Sequence, residues 1–372
     1  MALTLKEAVS RREKKSFFLF PHWLFYGNKH WVPPVMKDEK MFFNKEKNPM
    51  YKTGDSRMYL VYKDRRIAGR VAVIANNKEV ADEKLIRFGW LDFEDDRQVS
   101  AALMQAVEDT AREVGATRIE GPLGFCDLDN AGLLIEGFEE ESTMATWYNF
   151  PYYKKHLENL GFAKKQDWVE YEFIVPKEIP ERIKRMASII AEKHKLRERP
   201  IKNKKDMRAI SVEVLKLMAK TYKKLYNYVP LTDEQMAFYA EQFLNFLPPN
   251  YVMVLEDENG KLVAFAVTMP SLVKAAKKTK GYLFPLGFLQ FLKAMRKNDT
   301  VELMLIGIDP AYQDKGITAL IFQKLLNVFI QNGIKKVESN PEQEQNLEVQ
   351  TLWKDYEHRQ HKKRRVFEKM LE

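Results

Sequence analysis

The chain is expected to be a mixed α/β protein made of two tandem copies of one unit, each a mixed, mostly antiparallel sheet flanked by helices. Two observations carry that expectation. Residues 99–120 (VSAALMQAVEDTAREVGATRIE) and 317–338 (ITALIFQKLLNVFIQNGIKKVE) share their apolar positions at a constant offset, since 317 − 99 and 338 − 120 both give 218. Only four pairs are identical, Ala101/Ala319, Gln105/Gln323, Gly115/Gly333 and Glu120/Glu338, so what repeats is a structural pattern. Upstream, each copy also carries a hairpin pattern, and antiparallel strands followed by strand-helix-strand give a mixed sheet.

Taken in order, residues 1–20 are charged before they are apolar, and Pro21 and His22 break the apolar run before a signal-peptide core develops. Residues 17–34 (FFLFPHWLFYGNKHWVPP) concentrate aromatics as a domain interface would. The first hairpin joins 58–62 to 67–74 through Lys63-Asp64-Arg65-Arg66, a polar turn suited to tight reversal. A strand over 87–93 then meets Glu94-Asp95-Asp96-Arg97-Gln98, whose acids suit a helix N-terminus. The helix that follows ends at Gly115, suited to a left-handed cap. Residues 121–130 (GPLGFCDLDN) form a turn-rich loop that could line a cleft. Next, Asn149 is expected to cap a short helix, with Pro151 in its first turn and Gly161-Phe162 closing it. Pro176 and Pro180 mark a charged connector, which sets the domains at 1–175 and 176–372.

In the second half, a hairpin joins 251–255 to 262–269. From 67 to 99 is 32 residues, whereas from 262 to 317 is 55, so about 23 extra residues fall in 271–298. That insert is basic first and apolar second, and is expected to pack as an amphipathic helix on the other domain, or else to act as a lid. A buried strand over 301–308 stops at Pro310, which cannot donate to a ladder. After Gln313-Asp314-Lys315-Gly316 a helix runs over 317–330 to Gly333. The unpaired N–H groups and positive dipole end of its first turn make residues 313–318 a cradle for an anion.

Composition narrows the function. The net charge of +9 comes partly from runs at 202–205, 274–280 and 361–365, but no nucleic-acid-binding motif accompanies them, so nucleic acid is not the expected partner. The single cysteine, Cys126, excludes an internal disulfide and reads as a buried structural thiol. No His/Cys/Asp spacing suggests a metal site, so none is expected. The apolar stretch 281–292 is too short to span a bilayer, and a cytoplasmic protein without a membrane partner is the expectation.

The strand-turn-helix of 301–318 resembles the acyl-CoA pyrophosphate loop of the GNAT N-acyltransferase superfamily, written Q/R-x-x-G-x-G/A. Gln313 and Gly316 match that pattern; Thr318 stands where the family prefers Gly or Ala. The order of elements in each half resembles the GNAT fold too, so the resemblance covers most of the chain as two tandem GNAT-like domains. It implies that acetyl-CoA or another acyl-CoA binds at Ile308, Gln313, Asp314, Lys315, Gly316, Ile317 and Thr318. The first copy, with three acids at 94–96 and no glycine, would repel a pyrophosphate.

The segment NLEVQTLWKDYEH from Asn346 resembles the family's fourth-helix region. Asn346 would contact the pantetheine arm, Trp353 stands at the family's usual tyrosine position, and Tyr356 is the phenol placed to protonate the leaving thiolate. The matching first-half segment has His156 at that position, with Tyr152 and Tyr153 early in the helix. Glu338 is the first choice of general base, with Asp309, Glu342 and Glu344 as alternatives. Backbone N–H groups near 304–307 would stabilise the tetrahedral species. The implied activity is direct acyl transfer to a primary amine of a small molecule or peptide. Two alternatives stay open: transfer from aminoacyl-tRNA by a tandem GNAT enzyme, and a non-catalytic protein that senses CoA or binds a partner.

Overall fold

The computed structural model describes residues 2–346 and 356–372, apart from the side chains of residues 243 and 245; Trp353 lies outside the described residues. In chain order the first elements are β1 (Leu3–Glu7), α1 (Arg11–Leu24), α2 (Met36–Phe42), β2 (Gly54–Lys63), β3 (Arg66–Asn76), α3 (Asn77–Glu83), β4 (Leu85–Phe93), α4 (Arg97–Glu113), β5 (Arg118–Gly121), β6 (Leu133–Glu136), α5 (Tyr152–Asn159) and β7 (Ala163–Ile174). There follow α6 (Glu181–Lys193), β8 (Arg197–Glu198), α7 (Lys204–Tyr222), α8 (Asp233–Phe246), β9 (Val252–Glu256), β10 (Leu262–Pro270), α9 (Val273–Thr279), α10 (Gly287–Arg296), β11 (Thr300–Ile308), α11 (Ile317–Gln331), β12 (Lys336–Ser339), β13 (Glu342–Gln343) and β14 (His358–Met370).

The chain forms two compact units: Met1–Val169 with Ala276–Leu283 and Lys362–Glu372, and Glu170–Ala275 with Phe284–His361. In the first unit, β1, β2, β3 and β4 pair antiparallel in sequence order, and β4 pairs parallel with β5. In the second, β8, β9, β10 and β11 pair antiparallel, and β11 pairs parallel with β12. Each parallel pair is followed by one more antiparallel strand, and in both units that strand comes from the opposite half of the sequence. Residues 367–370 of β14 pair with β5, and residues 172–174 of β7 pair with β12.

Turn chemistry sets the first hairpin. Asp64 (φ 49°) and Arg65 (φ 70°) take left-handed conformations, the two-residue turn whose twist matches that of its flanking strands. Gly115 and Gly333 close α4 and α11 at φ 75° and 70°, as expected. Behind the second sheet, Ile183, Ala187 and Ile190 of α6 pack with Ile317, Ile321 and Leu325 of α11 and with Val301 and Leu303 of β11. In the first, Val99, Leu103 and Val107 of α4 pack on Val71, Ile86 and Phe88.

Two expectations are corrected here. The aromatics of 17–34 pack on one another and on their own half, with Phe17 edge-on to Phe43 and Phe25 against Trp31, Tyr148 and Phe150, and they also meet the second-half insert, His22 lying 6.3 Å from Tyr282. Asn149 does not cap α5, because its amide is spent on the backbone of Leu134, at 2.7 and 3.0 Å, and the N-cap is Pro151 without a side-chain bond. Of the 271–298 insert, Ala276–Leu283 belongs to the first unit as expected, but α10 stays in the second, and only part of its apolar run turns inward. Phe291 is buried, whereas Phe284, Leu286, Phe288, Leu289 and Leu292 are exposed.

The first unit buries a polar cluster that hydropathy alone would not place there. Arg70 donates to Asp92 at 2.7 Å and to the carbonyl of Phe17 at 2.9 Å, and Trp90 donates its indole N–H to Glu39 at 2.9 Å. Burial pushes the Glu39 carboxyl up to about 7 despite the nearby Arg70 guanidinium. A carboxyl whose folded pKa is raised holds its proton better in the folded chain. Its contribution to stability is therefore complete below about 4.5 and lost as pH rises through about 7. His22 acts oppositely: burial lowers it to about 4, so its contribution is present above 6.5 and lost as pH falls through 4. Denaturant titrations of wild type and Glu39→Gln at successive pH values isolate the first effect. The stability of wild type relative to the variant falls by on the order of 3 kcal/mol between pH 4.5 and 7. A difference that stays flat with pH would show that Glu39 does not titrate in this range.

Candidate active site

The candidate site lies in the second unit, where β11 and β12 part. Their parallel pairing starts at Thr300↔Lys336 and ends at Leu303↔Ser339. Asn340 wedges the gap: its N–H donates to the Leu303 carbonyl at 3.1 Å and its side-chain amide to the Met304 carbonyl at 3.2 Å. On its other edge β11 stays paired with β10 through Ala264↔Ile308, with a bulge at Met304 opposite the Val267/Thr268 step. Among the described residues, no strand pairs with β11 on the β12 side beyond Leu303. The result is a V-shaped opening whose wall is the edge of residues 304–308. Tyr222 of α7 donates its hydroxyl to the Ile306 carbonyl at 2.9 Å, so the carbonyls of residues 303, 304 and 306 all have partners.

β11 leads directly into the cradle. Asp309 is buried and caps the short turn 310–312 by accepting from the Ala311 N–H at 3.0 Å. Burial pushes its carboxyl up, but Lys220 (2.9 Å to both oxygens), the Ala311 N–H and Lys261 (3.2 Å) outweigh that and hold it below the usual range. Asp309 is thereby committed to holding the loop, which argues against it as the base. Asp314 has φ 60° and Gly316 has φ 74°, and Gly316 is the N-cap of α11. The positive φ disfavours any side chain at Gly316 before a ligand is considered, and a Cβ there would come within 2.9 Å of Ile190 Cδ1, which would have to shift.

Gln313, Asp314 and Lys315 are exposed, and Gly316 and Thr318 half-buried. Lys315 Nζ lies 5.0 Å from the centre of the Tyr312 ring. Among the described residues, no hydrogen bond engages the N–H groups of Gln313 to Thr318. A helix N-terminus with a free row of donors fits a pyrophosphate. Ile308, the last residue of β11, packs partly against the core.

The acids and phenol named from sequence fall nearby in the fold. Glu338 on β12 pairs with Lys336 at 2.8 Å, and Lys336 also meets Glu172 of β7 at 3.0 Å. Burial pulls the Lys336 ammonium down, and the two carboxylates outweigh it and raise it. In register, Glu338 stands beside Glu302 of β11 and Glu172 of β7, so three carboxylates line one face of the sheet. Tyr356 sets its ring 5.7 Å from Phe173 and 5.9 Å from Phe322. Asn346 donates its N–H to the Gln343 carbonyl at 2.8 Å, and Glu342 is half-buried.

Glu302 and Asn340 escaped the sequence reading. Glu302 is 1% exposed and its carboxylate accepts from the Ser271 hydroxyl at 2.8 Å. A lone acid in the otherwise apolar run VELMLIGI was the available signal. Nothing in the sequence around Asn340 marks it.

The equivalent place in the first unit is closed by its own side chains. Glu94 pairs with Arg66, Asp95 accepts from His156 Nε2 at 2.9 Å, and Asp96 pairs with Lys63 at 2.5 Å while capping α4. His156 also bonds Ser100 through Nδ1 at 2.7 Å. Tyr152 donates to the Phe93 carbonyl at 2.6 Å, and the Tyr153 hydroxyl accepts from the Phe93 N–H at 3.0 Å. The tyrosines and the histidine of this segment therefore fasten the end of β4.

No helix among the described residues is long and apolar enough to cross a membrane, and no group of three or more His, Cys, Asp or Glu that could hold a metal is found among them. Residues 214–356 match the Acetyltransferase (GNAT) family. The chain is 24% identical over 376 residues to Protein YghO of Escherichia coli (strain K12), covering 98% of this chain and 94% of that one. It is 23% identical over 309 residues to the Bacterial ceramide synthase of Caulobacter vibrioides, covering 81% and 79%. Its fold is similar to that of a tandem GNAT protein from the clavulanic acid biosynthesis pathway, with a TM-score of 0.55 at 10% identity over 99% of this chain and 98% of that one.

Proposed function

We propose that the chain is a tandem GNAT-like protein and an acyl-CoA-dependent N-acyltransferase whose working site is in the second unit; the family match over residues 214–356 and the tandem fold support this reading. The observation that carries this reading is the cradle of residues 313–318, with its donors free, at the mouth of the β11/β12 opening. Gln313, Asp314, Lys315, Gly316, Ile317 and Thr318 would hold the pyrophosphate, chiefly through backbone N–H groups. Ile308 and Asn346 would border the pantetheine arm. Acyl-CoA, when bound, would supply an activated thioester carbonyl. Glu338 would take the proton from the attacking ammonium, and Tyr356 would donate one to the leaving thiolate. Ceramide is an amide, so an enzyme named for its synthesis forms the kind of bond proposed here.

Titrating thermal stability with acetyl-CoA, longer acyl-CoAs and tRNA tests the assignment. A ligand present at 100 times its dissociation constant stabilises by about 2.7 kcal/mol. Thr318→Glu sets a carboxylate in the cradle without the positive φ that burdens any substitution of Gly316, and abolishes the shift. If wild type gives no shift with any acyl-CoA, the cofactor assignment is wrong. A shift by acyl-CoA with no CoA released from a panel of amines would favour the sensing protein, and a shift by tRNA alone the aminoacyl transferase.

A further inference from the structure

We propose that α10 and the loop before it dock the protein peripherally on an anionic lipid surface. Phe284 is 74% exposed and Leu286 68%, and on the helix Phe288, Leu289 and Leu292 remain exposed while Phe291 faces inward against Phe246. Phe288 and Leu292 are four residues apart, as are Leu289 and Lys293, and Leu292 and Arg296, so an apolar strip runs beside a basic one on the outward face. Lys293, Arg296 and Lys297 are exposed, and among the described residues no ion pair engages them.

Charge decides between occupants. Residues 271–298 contain six Lys and one Arg and no Asp or Glu. Asp299, the nearest acid in sequence, is taken up by Lys274 at 3.0 Å. A second copy of this chain would bring the same cations against these, whereas anionic headgroups would neutralise them while the side chains of residues 284, 286, 288, 289 and 292 enter the acyl boundary. A helix of ten residues with this pattern lies in the interface and does not span it.

Cosedimentation of the full chain with phosphatidylcholine vesicles, with and without about one third phosphatidylglycerol, tests this. Binding is expected to the anionic vesicles only, and to weaken with salt. Phe284→Ser with Leu286→Ser lowers the partition coefficient by about tenfold or more, as does the triple change Lys293→Glu, Arg296→Glu, Lys297→Glu. All five positions are exposed, so each variant is expected to melt as wild type does. Absence of binding to anionic vesicles, or binding that neither variant alters, overturns the proposal. So does a dimer in vesicle-free buffer that Phe284→Ser with Leu286→Ser dissolves, which would make this face an interface between copies. None of these readouts involves acyl-CoA, so they stand or fall apart from the cradle.

Discussion

Glu338→Gln lowers kcat by about 10²–10⁴ and leaves the acyl-CoA-induced thermal shift unchanged. The change keeps the shape of the side chain and removes its ability to accept a proton. Lys336 loses one of its two carboxylate partners but keeps Glu172 at 3.0 Å, so the strand end is not left with an unpaired ammonium. Glu302→Gln is the informative comparison, because Glu302 stands in register beside Glu338 and is the more buried of the two. Loss of turnover in Glu302→Gln with full activity in Glu338→Gln would transfer the role to Glu302.

Asp92→Ala destabilises the fold by about 3–5 kcal/mol, read as a lower midpoint in denaturant. Side-chain exposure is 4% for Arg70 and 8% for Asp92, so removing the carboxylate strands a guanidinium away from water. The Phe17 carbonyl at 2.9 Å and the Phe17 ring, 4.9 Å from the guanidinium, remain but carry no compensating charge. Burial raises the Asp92 carboxyl in spite of Arg70, which indicates how little solvent reaches the pair. Replacing both residues with apolar ones of similar size restores much of the loss, since the desolvation cost then disappears from both partners. A single variant within about 1 kcal/mol of wild type would mean that water enters the cluster.

Much of the site was legible in the chain itself because its signals are local. Pro310 at the end of an apolar run, Gly316 before a helical pattern and the acids at 94–96 act within a few residues of where they stand. Gly316 gains a reason that sequence could not supply: its φ of 74° disfavours a side chain irrespective of ligand, and Ile190, 126 residues earlier (316 − 190), would have to shift to admit one. Asn149 went astray because a short polar residue before a helix has two competing uses, and the backbone of Leu134 claimed it. The aromatics of 17–34 marked contact without saying against what, and only the structure shows that they meet both their own half and Tyr282 of the insert.

Sequence by itself determined the kind of unit, its duplication and which copy carries a glycine turn before its helix. Period, turn chemistry and charge are properties of neighbours along the chain, and a repeat at an offset of 218 is visible without coordinates. Tertiary structure alone decided strand membership. The pattern of β14 reads as the end of the second half, yet its residues 367–370 pair with β5, while residues 172–174 of β7 pair with β12. Alternation tells which face of a strand is buried and is silent on which edge it will hydrogen-bond. The row of Glu302, Glu338 and Glu172 is likewise a product of register between strands far apart in sequence. Such juxtapositions come from long-range pairing, for which no local pattern of residues carries a signal.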